Sequence, residues 1–204
     1  MFRSWAWALV AALAALRFFH SGVLGVEEVY PRTGALEMLH GRLPYRDFWY
    51  DKPPLTPLFY LLCGALPGWP LRLLGAVFVV ATAWCAHGFA RDVWSEREAR
   101  WAAVLTAVVL TFGFPATVMA IAPDLFLVLP HFAAVWLAWR GRAFLSGLVT
   151  GMGMLVNFKA VFVAVVCLAL LRRAAFVAGF ALPFAPVWWL EGFAEQVWAW
   201  GRLY

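Results

Sequence analysis

The chain is a succession of apolar runs interrupted by short charged connectors, and that alternation leaves few folds open. The runs lie near 4–24, 72–91, 101–121, 125–139, 143–157, 160–171 and 174–190. A helix needs about 20 apolar residues to cross a bilayer, fewer where it crosses only in part. The pattern therefore predicts an all-α, polytopic membrane bundle of about seven spans. The runs at 143–157 and 160–171 are short for a crossing and predict a paired, broken hairpin around "VNFKA". Composition agrees: 65% of residues are hydrophobic and 13% charged, where a soluble domain carries about 25% charged residues. The first run contains Arg17 and is followed by further runs, so it is read as a retained helix rather than a cleaved signal peptide.

Several function classes fall away at this level. The net charge of +5 comes from arginines scattered between apolar segments, which form no basic face for nucleic acid. Cys63, Cys85 and Cys167 each sit inside an apolar stretch, without CxxC or metal-ligand spacing, and are read as small buried side chains. The four histidines are scattered and form no HExxH.

The connectors set an orientation. Arginine-bearing connectors at 91–100, 140–142 and 172–173 alternate with 122–124, 157–159 and 191–196. By the positive-inside rule the arginine set is cytoplasmic. The outer face then holds the loop 25–71, Asp124, Lys159 and the C-terminal tail. For Lys52 and Asp124 to share that face, "LTPLFYLLCGAL" (55–66) must be an interfacial or re-entrant helix rather than a span. "PGWP" (67–70) turns the chain into the next run. Within the loop, "EEVYPRTGALEMLHG" predicts a short amphipathic helix with Pro31 in its first turn, Leu36 and Leu39 on one face and Gly41 as its C-terminal cap. "LPYRDFWYDKPP" predicts a non-helical strap, because its prolines lack donors and favour extended backbone before them.

Charge is concentrated on that face. The only two lysines of the chain, Lys52 and Lys159, both fall there, as do Glu27, Glu28, Glu37, Asp47, Asp51 and Asp124. A lysine ammonium is a compact point charge suited to a phosphate oxygen. Asp92, Glu96 and Glu98 accompany the cytoplasmic arginines and are read as solvated ion pairs. Asp124 fits both a helix N-cap and a functional acid at a membrane boundary. Arg17, deep in the first run, is expected to face the bundle.

Two blocks in this order, "EEVYPRTGALEMLHGRLPYRDFWYDKPPL" and then "PLRLLGAVF", resemble the first outer loop of bacterial GT-C glycosyltransferases. "APDLFLVL" and "GLVTGMGMLVNFK" follow in the places where that family has an Asp opening a span and a Lys before a short hairpin. These are polyprenyl-phosphate-sugar-dependent membrane enzymes related to protein O-mannosyltransferases and to the aminoarabinose transferase of lipid A. The resemblance implies one GT-C-like module over 1–204, with an outer loop at 25–71 carrying short interfacial helices. It implies that Glu27, or Glu28 beside it, is the general base on the acceptor hydroxyl. Lys52 matches the lysine at the donor phosphate, with Arg46 and Lys159 as further cations there. Asp47, Asp51 and Asp124 match supporting acidic positions. In some members the acid beside the lysine helps hold a divalent cation; no metal-ligand set is assigned to this chain.

Members of that family are usually much longer, so the resemblance also implies an N-terminal module incomplete at its C-terminus: a fragment, a truncated gene product, or one half of a split enzyme whose partner subunit supplies further helices. The function expected is transfer of a sugar, with inversion, from a polyprenyl-phosphate carrier to a lipid, glycan or protein acceptor on the periplasmic face of a bacterial inner membrane. The alternatives are a non-catalytic module that binds polyprenyl phosphate or a partner subunit, and a small transporter, against which the clustering of charge at one interface speaks.

Overall fold

A computed structural model describes residues 5–20, 25–113, 121–171 and 173–201. The expected span at 101–121 and the Arg172 half of the 172–173 connector fall partly outside the described residues. In chain order the helices are α1 (Trp5–Ala15, tightening to a 3-10 turn over Leu16–His20), α2 (Val26–Leu39), α3 (Leu55–Leu62), α4 (Trp69–Val93) and α5 (Glu96–Phe112). They continue with α6 (Pro123–Trp139), α7 (Ala143–Val156), α8 (Ala160–Leu171), α9 (Ala174–Ala181, then a 3-10 turn Leu182–Phe184) and α10 (Phe193–Gly201). Among the described residues the only β feature is an isolated bridge between Pro44 and Phe48. The all-helical expectation holds.

The count of about seven spans is not confirmed by helix length. Among the described residues α4, with 25 residues, is the one helix long and apolar enough to cross a membrane by length and composition, and the shorter apolar helices have 10–17 residues. At about 1.5 Å per residue these shorter helices reach less than the ~30 Å of a hydrocarbon core. The run at 174–190 ends as α helix at Ala181, because Pro183 and Pro186 lack the donors that would continue it. The apolar surface is nonetheless extensive: Val161, Phe162, Val165, Val166 and Leu168 of α8 are all exposed. Such a face suits lipid and would be costly in water.

The main core lies between α1, α4, α5 and α6, where Val10, Leu71, Val79, Ala83, Ala103, Val104, Leu125 and Phe126 are buried together. Arg17 is fully buried in this core, as expected of a bundle-facing arginine, and donates to the Leu110 carbonyl at 3.0 Å. A second core joins α6, α7, α8 and α9 around Ala134, Ala138, Cys167 and Phe176. At the C-terminal end of α6, Arg140 forks onto Asp92 at 2.6 and 3.1 Å, and Trp136 Nε1 donates to the same carboxylate at 2.7 Å. Since Asp124 opens α6 and Arg140 follows its last turn, this ion pair and Asp124 sit at opposite ends of the bundle.

The helices within 25–71 differ in detail from the pattern. α2 starts at Val26, which puts Pro31 in its second turn, where the missing N–H leaves Glu27's carbonyl without its helical partner. Its buried face is Glu28, Pro31, Gly34 and Ala35, not a leucine stripe, and Leu39 is exposed. The small residues are needed there: a Cβ on Gly34 would lie 3.1 Å from the Tyr50 ring. Gly41 does close the helix, with φ +78° and its N–H donating to Met38. α3 is too short to cross, and it is tucked into the bundle. Thr56 Oγ1 donates to Val156 O at 3.3 Å and Tyr60 Oη to Ile121 O at 2.5 Å.

Candidate active site

The strap 43–52 owes its shape to tyrosines and to one aspartate. Asp47 accepts from the Leu43 N–H at 2.8 Å and is gripped by Arg46 at 2.9 and 2.8 Å, so both residues close the bend of the strap onto itself. Tyr45, with φ +69°, sends its hydroxyl to the Lys52 carbonyl at 2.7 Å. Tyr30 of α2 stacks on Tyr50, with centroids 4.9 Å apart. Its hydroxyl donates to Asp51 Oδ1 at 2.5 Å and accepts from the Asp51 N–H at 3.1 Å. Burial and the Asp51 carboxylate push the Tyr30 phenol well above its ordinary range, so it stays a donor. From the far end of the chain, Gln196 of α10 bridges the strap: its amide donates to Tyr45 O at 2.5 Å and its carbonyl accepts from Tyr50 N at 3.1 Å.

This scaffold presents Asp51 and Lys52 to a cavity of about 450 Å³, whose other polar walls are Glu27, Asp124, Asn157 and Lys159. Glu27 and Lys52 come from the loop 25–71, Asp124 from the first turn of α6, and Asn157 and Lys159 from the break between α7 and α8. Lys159 Nζ contacts both Asp124 oxygens at 2.9 and 3.2 Å. Lys52 Nζ lies 3.3 Å from Asp51 Oδ2. Asn157 Oδ1 accepts from the Lys159 N–H at 3.1 Å and shapes the turn that carries it. Glu27 is exposed, and among the described residues its carboxylate takes part in no hydrogen bond or ion pair.

Of the expected residues, Glu27, Asp51, Lys52, Asp124 and Lys159 thus converge. Three do not. Arg46 and Asp47 pair with each other, and Arg46 borders a separate cavity with Trp49, Glu191 and Glu195. Glu28 points away from the cavity and is fully buried against Arg72, at 2.5 and 3.1 Å. Gln196 carried no signal in the sequence, because its role is a contact between segments far apart in the chain; Tyr45 and Asn157 act locally, on Lys52 and Lys159, and only the folded turns show it. Among the described residues no three His, Cys, Asp or Glu side chains converge as they would around a metal ion.

Arg46 and the Leu43 N–H hold the Asp47 carboxyl down at about 2, below its ordinary value near 4. A carboxyl depressed in the fold contributes fully above its unfolded pKa and loses its contribution as pH falls through the folded value. The strap is therefore expected to keep the Leu43 amide protected from hydrogen exchange down to about pH 3, and to release it as pH falls toward 2. Asp47→Asn should remove that pH dependence. Exchange at Leu43 measured between pH 2 and 5 checks both.

What this arrangement can do is bounded by its chemistry. An unpaired carboxylate can take a proton from a hydroxyl within reach. Two ammonium groups in one cavity can meet an anionic oxygen cluster and stabilise charge that develops there. No curated protein and no solved structure matches the chain. A family model, dolichyl-phosphate-mannose-protein mannosyltransferase, matches residues 51–189. The matched region begins at Asp51 and takes in Lys52, Asp124 and Lys159, while Glu27 precedes it. The chain therefore belongs to the dolichyl-phosphate-mannose-protein mannosyltransferase family, membrane-integral glycosyltransferases of the GT-C type that take their sugar from a polyprenyl-phosphate-linked donor.

Proposed function

We propose that this chain carries the transfer site of a polyprenyl-phosphate-dependent glycosyltransferase, and that the sugar passes with inversion to an acceptor hydroxyl on the outer, periplasmic face of a bacterial inner membrane. The observation that carries this reading is the single cavity in which a free carboxylate, Glu27, faces two lysines, Lys52 and Lys159. Glu27 is the base: it takes the acceptor's proton as the hydroxyl oxygen attacks the anomeric carbon from the side opposite the phosphate. The bond from that carbon to the phosphate oxygen breaks, and the lipid phosphate leaves with the electron pair. Lys52 and Lys159 neutralise the charge that gathers on the departing phosphate. Asp51 and Asp124, each beside a lysine, hold those ammonium groups in place before the donor arrives. Glu27 is preferred over Glu28 because Glu28 is buried and already paired. Arg46 takes no part at the donor phosphate in this reading.

The test is transfer from labelled polyprenyl-phosphate sugars by the chain in lipid. Lys52→Ala and Lys159→Ala are each expected to raise the donor KM about tenfold or more, the worth of one charge-assisted contact. The KM for the acceptor should change little. An unchanged donor KM in both variants would remove the lysines from the site. Donor binding without turnover by the intact chain would favour a binding module instead.

A further inference from the structure

The cavity walls come from three stretches far apart in the sequence, and they meet at one buried peptide, Ile121. Its N–H donates to Glu28 Oε1 at 2.6 Å. Its carbonyl accepts from Tyr60 Oη at 2.5 Å. The side chain is fully buried, and Gly75 of α4 makes room for it: a Cβ there would stand 2.4 Å from Ile121 Cδ1. Each anchor neighbours a wall of the cavity. Glu28 follows Glu27 on α2, and consecutive helical residues point about 100° apart, so fixing Glu28 inward turns Glu27 toward the rim. Tyr60 lies on α3, which Pro53 and Pro54 join stiffly to Lys52. Ile121 stands three residues before Asp124, through the extended Ala122 (φ −81°, ψ 160°) and Pro123.

Glu28 is itself fixed from a third direction by the Arg72 fork of α4. A carboxylate with one oxygen shared between a guanidinium and a peptide N–H, and the other on the same guanidinium, has little freedom to rotate. Helices α2, α3, α4 and α6 are thereby tied at a single peptide group.

We propose that Glu28 and Tyr60 are positioning residues, which clamp the Ile121 peptide from its two sides and so hold Glu27, Lys52 and the Asp124–Lys159 pair in one constellation. This rests on the reading of the cavity as the transfer site, and it deepens that reading. Neither residue touches the reacting atoms; each acts through the backbone it holds. Losing one anchor lets the start of α6 shift relative to α2, and a displacement of about 1 Å at a reacting centre costs on the order of 100-fold in rate.

The experiment uses the full chain in lipid nanodiscs, with Tyr60→Phe, Glu28→Gln and, as a control on the exposed face of α3, Leu62→Ala. Two quantities are read: hydrogen exchange of the amides at 121–126, and kcat with donor KM for sugar transfer. Tyr60→Phe should speed exchange at 121–126 about tenfold and lower kcat about tenfold or more, while donor KM moves less than about threefold and the pH profile of kcat keeps its shape. Glu28→Gln should do the same, and the control neither. Unchanged exchange in both variants overturns the clamp whatever the activity. Faster exchange with unchanged kcat overturns it as a positioning device, as does a lower melting temperature with kcat per folded molecule intact. An intact chain that transfers no sugar, yet shows the exchange response, supports the clamp and counts against the transferase reading, so the two failures are told apart.

Discussion

Glu27→Gln is expected to lower sugar transfer by roughly 100- to 10,000-fold, the range that a positioned general base contributes, with donor binding nearly unchanged. The amide keeps the size and hydrogen-bonding reach of the carboxylate and loses only the capacity to accept a full proton. Because Glu27 has no hydrogen bond or ion pair among the described residues, the substitution breaks nothing that the fold uses. A fall in folded yield is therefore not expected, and the comparison is clean. Glu28→Gln is the informative counterpart, since it disturbs the paired, buried neighbour instead. Steady-state transfer and donor binding measured on the same preparations decide the matter: equal turnover by Glu27→Gln and the parent chain would remove Glu27 from the mechanism.

Gly147→Leu is expected to destabilise the bundle by about 3 kcal/mol or more, at the upper end of the cost of overpacking a close contact. Helices α7 and α9 cross with no space between their backbones. A Cβ at Gly147 would stand 2.0 Å from the Phe176 carbonyl oxygen, one at Gly151 2.3 Å from that of Phe180, and one at Gly179 2.1 Å from that of Phe144. Small residues four apart allow this approach, which is how helices in lipid gain packing where burial from water contributes nothing. The clashing atoms are backbone, so no rotamer change relieves them. A side chain here must force the helices apart, and with α7 moves the turn that carries Asn157 and Lys159. Thermal unfolding in detergent should show a lowered transition for Gly147→Leu. A transition unchanged from the parent would mean that the helices do not cross this closely. Met152→Leu, on the exposed side of the same helix, should leave it unchanged.

How much of this was legible beforehand varies with how local the cause is. The helical class, the short α3, the closing glycine at Gly41 and the bundle-facing Arg17 follow from periodicity, turn chemistry and the cost of burying charge. The count of spans is the least legible part: the apolar run at 174–190 is continuous in composition but holds two prolines that end its helix, whereas the broken hairpin around Asn157 was readable from its short runs. Pro31 misled in another way: a proline favours a first turn, but helix α2 continues through it because Glu28, one turn earlier, is pinned inside the bundle. Among the candidate residues that line the cavity, Asp51–Lys52, Asp124 and Lys159 announced themselves as rare charges in an apolar chain. Arg46 and Asp47 announced themselves equally well and turn out to close a bend.

The class of fold, the placement of most charges at the breaks between apolar runs and the membership of a membrane glycosyltransferase family can be read from the linear chain. These are set by composition and local pattern, which need no partner segment to be read. Which of Glu27 and Glu28 faces the cavity is set by packing, because adjacent residues on a helix differ in direction and the direction is chosen by Arg72 and Ile121, 44 and 93 positions away from Glu28. The same holds for the hold of Gln196 on a strap 146 residues before it. Contacts of that separation are settled by how the whole bundle packs, and no window of sequence contains both partners.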